Sequence, residues 1–389
     1  MPETLLPVQS ELLSPLERDA SFQAYGKTAT RREHPNRYWK IDLDTLDFGA
    51  FEMVAASNVA RISGGTARGV IICDLETAKR DHGALFNAAF GKALAQAPSK
   101  FAYLTRAFTS GGAFVYVPDG VCVADPIVIR YTPHTGAAFP YTLVLTGTGA
   151  ECTIIEELKS THAGIAVAAV AEIVAGASAH VTYASIQELP EDAQVLTTRV
   201  ALPGRDATIS WAVAELGSAL SASSIDVTIE QPGVTAQVAA LFFPRGNQHV
   251  DMISTVDHRS GGTQSQTVIK SAATGSGQAR YLGNIRILPN AHGTDASLRD
   301  DALLLSKKAH IDSIPALEIA ANDVKAFHGA TVGAIDEEQI FYMTSRGLER
   351  REAERMIALG FFEPAIARFP GESLRERLRE ALQKKVVSE

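Results

Sequence analysis

The sequence predicts a mainly β protein, a β-solenoid core with helical regions before and after it. Runs rich in Val, Ile, Thr and Ala alternate with Gly, Pro and Asp over residues 101–333, which is typical of strands and turns. A short Ala-x-apolar element recurs there at nearly constant spacing. Residues 1–100 show a mixed pattern of helices and loops, and residues 334–389 show helical periodicity. We therefore expect an N-terminal helical region, a β core and a C-terminal helical domain with those bounds.

Composition and charge exclude several classes of protein. The 389 residues carry a net charge of −8, and no basic run suggests a nucleic-acid partner. Three widely spaced cysteines without a C-x-x-C pair argue against a zinc ribbon and a disulfide framework. The first residues lack the pattern of a signal peptide, so we expect a cytoplasmic protein. The longest apolar stretch, residues 163–175, contains Glu172 and is shorter than a membrane span, so we interpret it as a buried strand pair without membrane contact.

The N-terminal region is predicted to contain two helices. Residues 5–22 have the pattern of a short amphipathic helix, and residues 75–97 form an Ala-rich periodic stretch that Pro98 ends. Between them lies a basic–aromatic patch at residues 31–39. Two interpretations stay open for that patch: a partner contact, or a polar loop with Trp39 anchored in a core.

The core contains a weak internal repeat. Its Ala-x-apolar element begins at Ala150, Ala179, Ala207, Ala236, Ala279 and Ala309. The first three separations are 29, 28 and 29 residues, and the last two are 43 and 30, so the step of 43 is close to one and a half periods. Each unit holds two strand-like runs, which favours a solenoid whose coils pair with one another. A β-sandwich also spaces its strands regularly, but small residues at a fixed position suit the tight corners of a solenoid better.

Three helices are predicted after the core. Asp336 is the N-cap of a helix over residues 337–345, and Gly347 stops it. A second helix covers residues 349–359 and ends at Gly360. Ser373 caps a last helix, which runs to about residue 385.

The motifs that would give this chain its own hydrolytic chemistry are absent. It contains neither the glycine-rich phosphate loop of ATPases nor the G-x-S-x-G nucleophile elbow, so we expect no bound nucleotide and no catalytic residue. Because some solenoids are carbohydrate-active enzymes, the cluster of Asp251, Asp257 and His258 is the best alternative site. The even spacing of the two aspartates would place them on one strand face. We interpret them instead as solvated loop acids.

Histidines gather near the end of the core. His310 and Asp312 alternate on one predicted strand face, and His328 follows within the segment VKAFHGATVG at residues 324–333. Neutral imidazole suits iron or zinc. A hydrogen-bonded core histidine is the competing interpretation of His328.

Residues 248–362 resemble the SufB/SufD family of iron–sulfur cluster assembly proteins. The matching segments are QHVDMISTVDH, SQTVIK, TDASLRDDALLLS, IDSIPALEI, DVKAFHGATVGAIDEEQIFYMTSRG and EAERMIALGFF, with a looser match over residues 111–129. The combination of HGATVG with FY and SRG is specific. The chain looks closer to SufD than to SufB, because Ala309 stands where SufB carries its sulfur-accepting cysteine. Ala326 replaces a cysteine that some SufD proteins carry, while the SufD-like histidine is kept as His328.

The resemblance implies a right-handed parallel β-helix in a non-catalytic scaffold subunit. Such a subunit would form a heterodimer with a SufB-like chain and bind a SufC-like ABC ATPase through its C-terminal helices. A transient iron–sulfur cluster or iron would form at the subunit interface, with His328 as a ligand; whether flavin takes part stays open. Phe341, Tyr342, Met343 and Arg346 would support ATPase docking, although Phe341 and Tyr342 could instead seal the core. A homo-oligomer of the same family is a further alternative, against which Ala309 counts.

Overall fold

The computed structural model describes residues 12–27, 53–54, 60–109 and 111–387. These residues form a β-solenoid of about eight turns with helices at both ends, which confirms the predicted fold class. The basic–aromatic patch at residues 31–39 lies outside the described residues.

The solenoid is built from two sheets, one on each side of the coil. Sheet A contains β1 (Met53–Val54), β3 (Ile71–Asp74), β4 (Gly112–Val117), β6 (Gly136–Ala138), β7 (Tyr141–Thr146), β9 (Ile165–Ala175), β11 (Gln194–Pro203), β13 (Leu220–Ile229), β15 (His249–His258), β17 (Gln278–Ile287) and β19 (His310–Ile319). Sheet B contains β2 (Ala60–Ser63), β5 (Ile127–Tyr131), β8 (Glu151–Lys159), β10 (His180–Glu188), β12 (Thr208–Glu215), β14 (Thr235–Phe242), β16 (Gln264–Ala273), β18 (Asp295–Leu304) and β20 (Lys325–Ala334). Strands of successive turns pair in parallel, so each turn stacks on the one before it.

The register explains the sequence repeat. The first four repeat alanines lie at the starts of β8, β10, β12 and β14 in sheet B, and the last two at the starts of β17 and β19 in sheet A. The 43-residue step is therefore one and a half turns, and it moves the repeated element to the other sheet. The stretch at residues 163–175 is one strand, β9, so the predicted strand pair is wrong.

Helices cover the outer faces of the two sheets. They are α1 (Pro15–Lys27), α2 (Leu75–Asp81), α3 (Gly83–Ala89), α4 (Lys92–Gln96), α5 (Lys100–Phe108), α6 (Glu337–Ser345), α7 (Arg350–Ile366) and α8 (Glu372–Val387). Side chains of α5, such as Phe101 and Leu104, pack against sheet A. Side chains of α7 and α8, such as Phe362 and Leu378, pack against sheet B.

The helix predicted over residues 75–97 is wrong in its continuity. It is divided into α2, α3 and α4, with breaks at His82 and Gly91. Gly91 adopts φ +80°, a left-handed conformation that glycine reaches without steric cost. This turn points the first backbone N–H groups of α4 toward the coil. The helix predicted over residues 5–22 lies partly outside the described residues; α1 begins at Pro15 and ends at Lys27.

The C-terminal helices agree with the prediction in one case and differ in two. Helix α6 has the predicted bounds, with Asp336 accepting a hydrogen bond from the Glu338 backbone N–H at 2.9 Å. Helix α7 continues through Gly360, where a stop was predicted, because burial of residues beyond it, such as Phe362, outweighs the weak helix propensity of glycine. Helix α8 begins at Glu372, so Ser373 lies within it rather than capping it.

The two ends of the coil differ. At the beginning, β3 pairs antiparallel with β4 and β2 pairs antiparallel with β5, which covers the edges of both sheets. At the other end, β19 pairs only with β17, and β20 only with β18. Among the described residues, no strand covers these last two edges.

A buried carboxylate attaches the N-terminal helices to the coil. Glu172 of β9 is fully buried and accepts hydrogen bonds from the backbone N–H groups of Gly91 and Ala93, both at 2.7 Å, and of Leu94 at 3.2 Å. The Tyr141 hydroxyl donates a fourth at 2.5 Å. Burial raises the pKa of Glu172, while these donors favour its charged form. The carboxylate thus satisfies N–H groups that α4 leaves unpaired.

We expect Glu172→Ala to loosen the N-terminal helices selectively. It leaves three N–H groups and a buried hydroxyl without an acceptor, which should lower the free energy of opening this region by about 2–4 kcal/mol. Limited trypsin digestion, followed at Lys92, Lys100 and Arg106, measures the opening. Glu151→Ala, at an exposed position of β8, is the matched control. Equal digestion rates in both variants would contradict this role of Glu172.

Candidate functional site

His328 lies at the rim of the open coil end. It belongs to β20, and its register partner is Leu298 of β18, which is fully buried in the coil interior. Because paired residues in a parallel ladder share a face, His328 faces the interior. It is nevertheless exposed, since no further turn covers it among the described residues. The core-histidine interpretation therefore does not describe His328 in the isolated chain.

One turn inside the rim, the interior contains a buried acid. Asp300 stacks beneath Ala330 and is fully buried, and the Ser313 hydroxyl of β19 donates a hydrogen bond to its Oδ2. Burial raises the pKa of Asp300 to about 7. Strand geometry places its Cα about 8 Å from that of His328, at ~3.3 Å per residue and ~4.8 Å between strands. Sequence reasoning missed this acid, because nothing local marks it as interior.

Large apolar side chains are exposed around the same rim. Ile319 and Val332 are each 46% exposed, although they stack on the buried Ile287 and Ala302. Phe327 points outward and is 60% exposed. Its outward column in sheet B otherwise holds polar residues: Thr153, Thr182, Ser210, Gln237, Gln266 and Ser297. The change from six polar residues to one aromatic ring is a sequence signal that becomes visible once the register is known.

His310 and Asp312 form a separate pair. They share the outer face of β19, as the alternation predicted, with His310 Nε2 at 3.1 Å from Asp312 Oδ1. His328 faces the interior of the coil, so the structure does not bring these two histidines to one site.

The alternative cluster of Asp251, Asp257 and His258 does not form one constellation. Both aspartates lie on the outer face of β15, as their spacing predicted, but they are buried strand residues, so the interpretation as solvated loop acids is wrong. Asp251 accepts a hydrogen bond from Arg280 at 2.6 Å, and Asp257 one from Arg259 at 2.9 Å. His258 faces the interior, with Nδ1 at 2.8 Å from the Thr263 hydroxyl and Nε2 at 2.9 Å from that of Ser265.

Helix α6 presents an exposed patch directly after β20. Phe341 and Tyr342 are 74% and 60% exposed, and Met343 is half-buried. The Arg346 guanidinium lies over the Tyr342 ring, 5.2 Å from its centre. Ile340 is the residue of α6 that is buried. The exposure of Phe341 and Tyr342 contradicts the alternative in which these rings seal the core.

The described part of the chain does not form a complete metal site by itself. It brings together no group of three or more His, Cys, Asp or Glu side chains arranged around a metal ion. Cys152 is buried in β8, several turns from the rim, and burial raises the pKa of its thiol to about 12. None of the described helices is long and apolar enough to cross a membrane.

Comparison with known proteins identifies matches over most of the chain. Residues 129–361 match the family model described as SUF system FeS cluster assembly, SufBD core domain, and residues 16–129 match the SufBD protein N-terminal region. Proteins named iron-sulfur cluster assembly SufBD family protein from Staphylococcus epidermidis, Staphylococcus haemolyticus and Staphylococcus aureus are each 29% identical over 314 residues. Each match covers 78% of this chain and 66% of the relative, slightly less than two thirds of its length.

We expect His258 to make stability depend on pH. Burial lowers its pKa from 6.5 to about 4, so below pH 6.5 the unfolded chain binds a proton that the folded chain does not. This contribution is present above pH 6.5 and should fall by about 2–3 kcal/mol as the pH is lowered to about 4.5. Urea unfolding of the wild type and of His258→Asn across that range measures it. The free energy of unfolding of the wild type should fall relative to that of His258→Asn as the pH is lowered. If the two free energies changed in parallel with pH, His258 would not be the group responsible.

Proposed function

Because this chain belongs to the SufBD family of iron–sulfur cluster assembly proteins, we propose that it is the SufD-like scaffold subunit of an ATP-driven assembly complex. In this proposal it pairs with a SufB-like subunit and binds a SufC-like ABC ATPase, and it is not itself an enzyme. The observation that supports the proposal best is the end of the coil that no strand of the described residues covers, where His328 lies.

The uncovered end suits a second β-helix. Within the part of the chain that the structure describes, β19 and β20 each pair on one side only, and open edges of this kind readily pair with another chain. Phe327, Ile319 and Val332 add apolar surface around the edges. Aromatic side chains are typical anchors of protein interfaces. A partner that ends in a similar coil would extend both sheets and cover the exposed rim.

His328 is the residue we assign to the cargo. Iron or a nascent cluster is the substrate of the complex, and an imidazole at the rim is a suitable ligand for it. The chain has Ala309 and Ala326 where a thiol would be needed near this rim. The SufB-like subunit must therefore supply the sulfur-accepting cysteine and the remaining ligands. The same absence disfavours a homo-oligomer, since a second copy would bring no thiol to the rim.

The exposed patch on α6 is our candidate docking surface for the ATPase. Only Ile335 and Asp336 separate β20 from α6, so a displacement of the helix acts directly on the strand that carries His328. Arg350 at the start of α7 donates to both carboxylate oxygens of Glu337, at 2.9 and 2.6 Å, and so couples α6 to α7. We propose that movement of the ATPase shifts these helices and thereby opens the coil-end interface.

Two substitutions should separate the two partners. We expect Phe327→Asp to reduce recovery of a second β-helix subunit by about tenfold or more, since it removes a central aromatic contact. It should leave recovery of an ABC-type ATPase unchanged. Phe341→Ala should do the reverse. The measurement is anaerobic co-purification with the tagged full chain, with partner recovery quantified by mass spectrometry.

Ser210→Lys is the control for this experiment, because it adds a charge to the Phe327 column far from the rim. Recovery of the wild type only as a free monomer, from cells that contain both partners, would contradict the proposed function. Loss of both partners in either single variant would contradict the separation of the two surfaces.

We expect His328→Ala to lower the iron content of the purified complex while its subunit composition stays unchanged, since the substitution removes a ligand but no interface anchor. Metal analysis and visible absorbance of the anaerobic complex measure this. His310→Ala, which removes an exposed histidine on the outer face of the neighbouring strand, is the matched control. Equal iron content in the two variants would overturn the ligand assignment.

A further inference from the structure

A groove of about 400 Å³ lies on the outer face of sheet A and extends onto β19, the last strand of that sheet. Its floor is formed by β13, β15, β17 and β19, and its roof by residues 96–98, between α4 and α5. Arg259 holds this roof in place by donating a hydrogen bond to Gln96 Oε1 at 2.8 Å. A volume of this size is typical of clefts that bind small molecules or single side chains.

The floor of the groove contains buried oxygen atoms that accept no hydrogen bond. Two of them lie on the neighbouring strands β15 and β17. One is Oδ1 of Asp257, a residue only 6% exposed, and the other is Oδ1 of Asn284. The second oxygen of Asp257 is already engaged, with Arg259 at 2.9 Å and Arg286 at 3.5 Å. Buried acceptors are rarely left unpaired in native proteins, because each one costs about 1–3 kcal/mol. Because Asp257 Oδ1 and Asn284 Oδ1 are both acceptors, a ligand that satisfies them must be a hydrogen-bond donor.

The walls and the charge of the groove indicate what kind of ligand would carry the hydrogen-bond donor. Ile253 and Leu282, both almost fully buried, line one wall and offer an apolar surface beside the two oxygens. The charged residues that line the groove are Asp226, Asp257, Glu318 and Arg286, and Glu230 and Arg259 form an ion pair beside it at 3.2 Å. Four carboxylates against two guanidinium groups leave a formal excess of two negative charges. A ligand that matches these features is cationic at one end and apolar along its length.

We propose that this groove binds a guanidinium or primary ammonium group on an aliphatic stem. The cationic head donates hydrogen bonds to Asp257 Oδ1 and Asn284 Oδ1, and the stem lies against Ile253 and Leu282. Arginine and lysine side chains combine an apolar stem with a charged head in this way. Two kinds of ligand have such a cationic head on an aliphatic stem: a basic side chain of another protein and a free polyamine. The inference does not depend on the proposed role in cluster assembly.

The test uses the full chain with labelled Ile and Leu methyl groups and three probes: Nα-acetyl-arginine amide, its neutral citrulline analogue, and spermidine. We expect the arginine probe to shift the Ile253 and Leu282 methyl signals saturably. The citrulline analogue should bind at least about tenfold more weakly, because it lacks the charge that strengthens a hydrogen bond to a carboxylate. Tighter binding of spermidine than of the arginine probe would identify a polyamine as the source, and the reverse order a protein side chain.

Two variants connect binding to the groove. Asp257→Asn should lower the affinity of the groove for the arginine probe by about tenfold or more. Since that change also removes a partner of Arg259 and Arg286, a second variant leaves their pairing intact. Thr255→Lys places an amine inside the groove and should abolish the methyl shifts. Ser210→Lys, on the outer face of sheet B, should leave them unchanged. Equal binding of arginine and citrulline probes, or undiminished shifts in Thr255→Lys, would overturn the proposal.

Discussion

Every strand of a stacked coil needs a neighbour on each side, and the architecture of this protein follows from how that need is met. Through about eight turns, each strand pairs in parallel with the strands of the turns before and after it. At the beginning of the coil, the antiparallel strands β2 and β3 pair with the first strands of the two sheets. At the end of the coil, β19 and β20 each pair on one side only and have no second neighbour within the described residues. This asymmetry leaves the interior-facing His328, Ile319 and Val332 exposed, so that the functional proposal rests on a backbone constraint rather than on one side chain.

Carboxylates of the coil attach the helical regions to its two outer faces. Glu172 accepts N–H groups of α4 on sheet A. On sheet B, Glu157 accepts hydrogen bonds from Arg130 of β5 at 2.6 Å and Arg377 of α8 at 2.5 Å. Helices are therefore fixed along both outer faces of the coil, while α6 continues from the last strand and is held chiefly through Ile340 and Glu337. In the proposed complex, movement of an ATPase docked on α6 would act on that last strand first, close to the proposed cluster site.

Repeat spacing and local capping signals were sufficient to predict much of this structure from the sequence. The 28- to 29-residue period predicted the turns, whereas the 43-residue step could be explained as a change of sheet only from the structure. Asp336 and Gly347 gave correct bounds for α6, since caps act through adjacent residues. The errors depend on contacts between distant residues. The break at Gly91 is stabilised by Glu172, α7 continues past Gly360 because Phe362 packs on the coil, and burial of Asp251 follows from its pairing with Arg280.

The same distinction holds for the candidate site. The motif around His328 could be recognised, whereas Asp300 and Phe327 required the strand register. The central claim is that the open end pairs with a second β-helix, and amide hydrogen exchange tests it most directly. In the isolated chain, the backbone amides of β19 and β20 that face the open edge should exchange fast. In the purified complex, their exchange should be slower by about a hundredfold or more, whereas the exchange of the β15 amides should stay unchanged. Exchange at β19 and β20 that is equal in the free chain and in the complex would contradict the account.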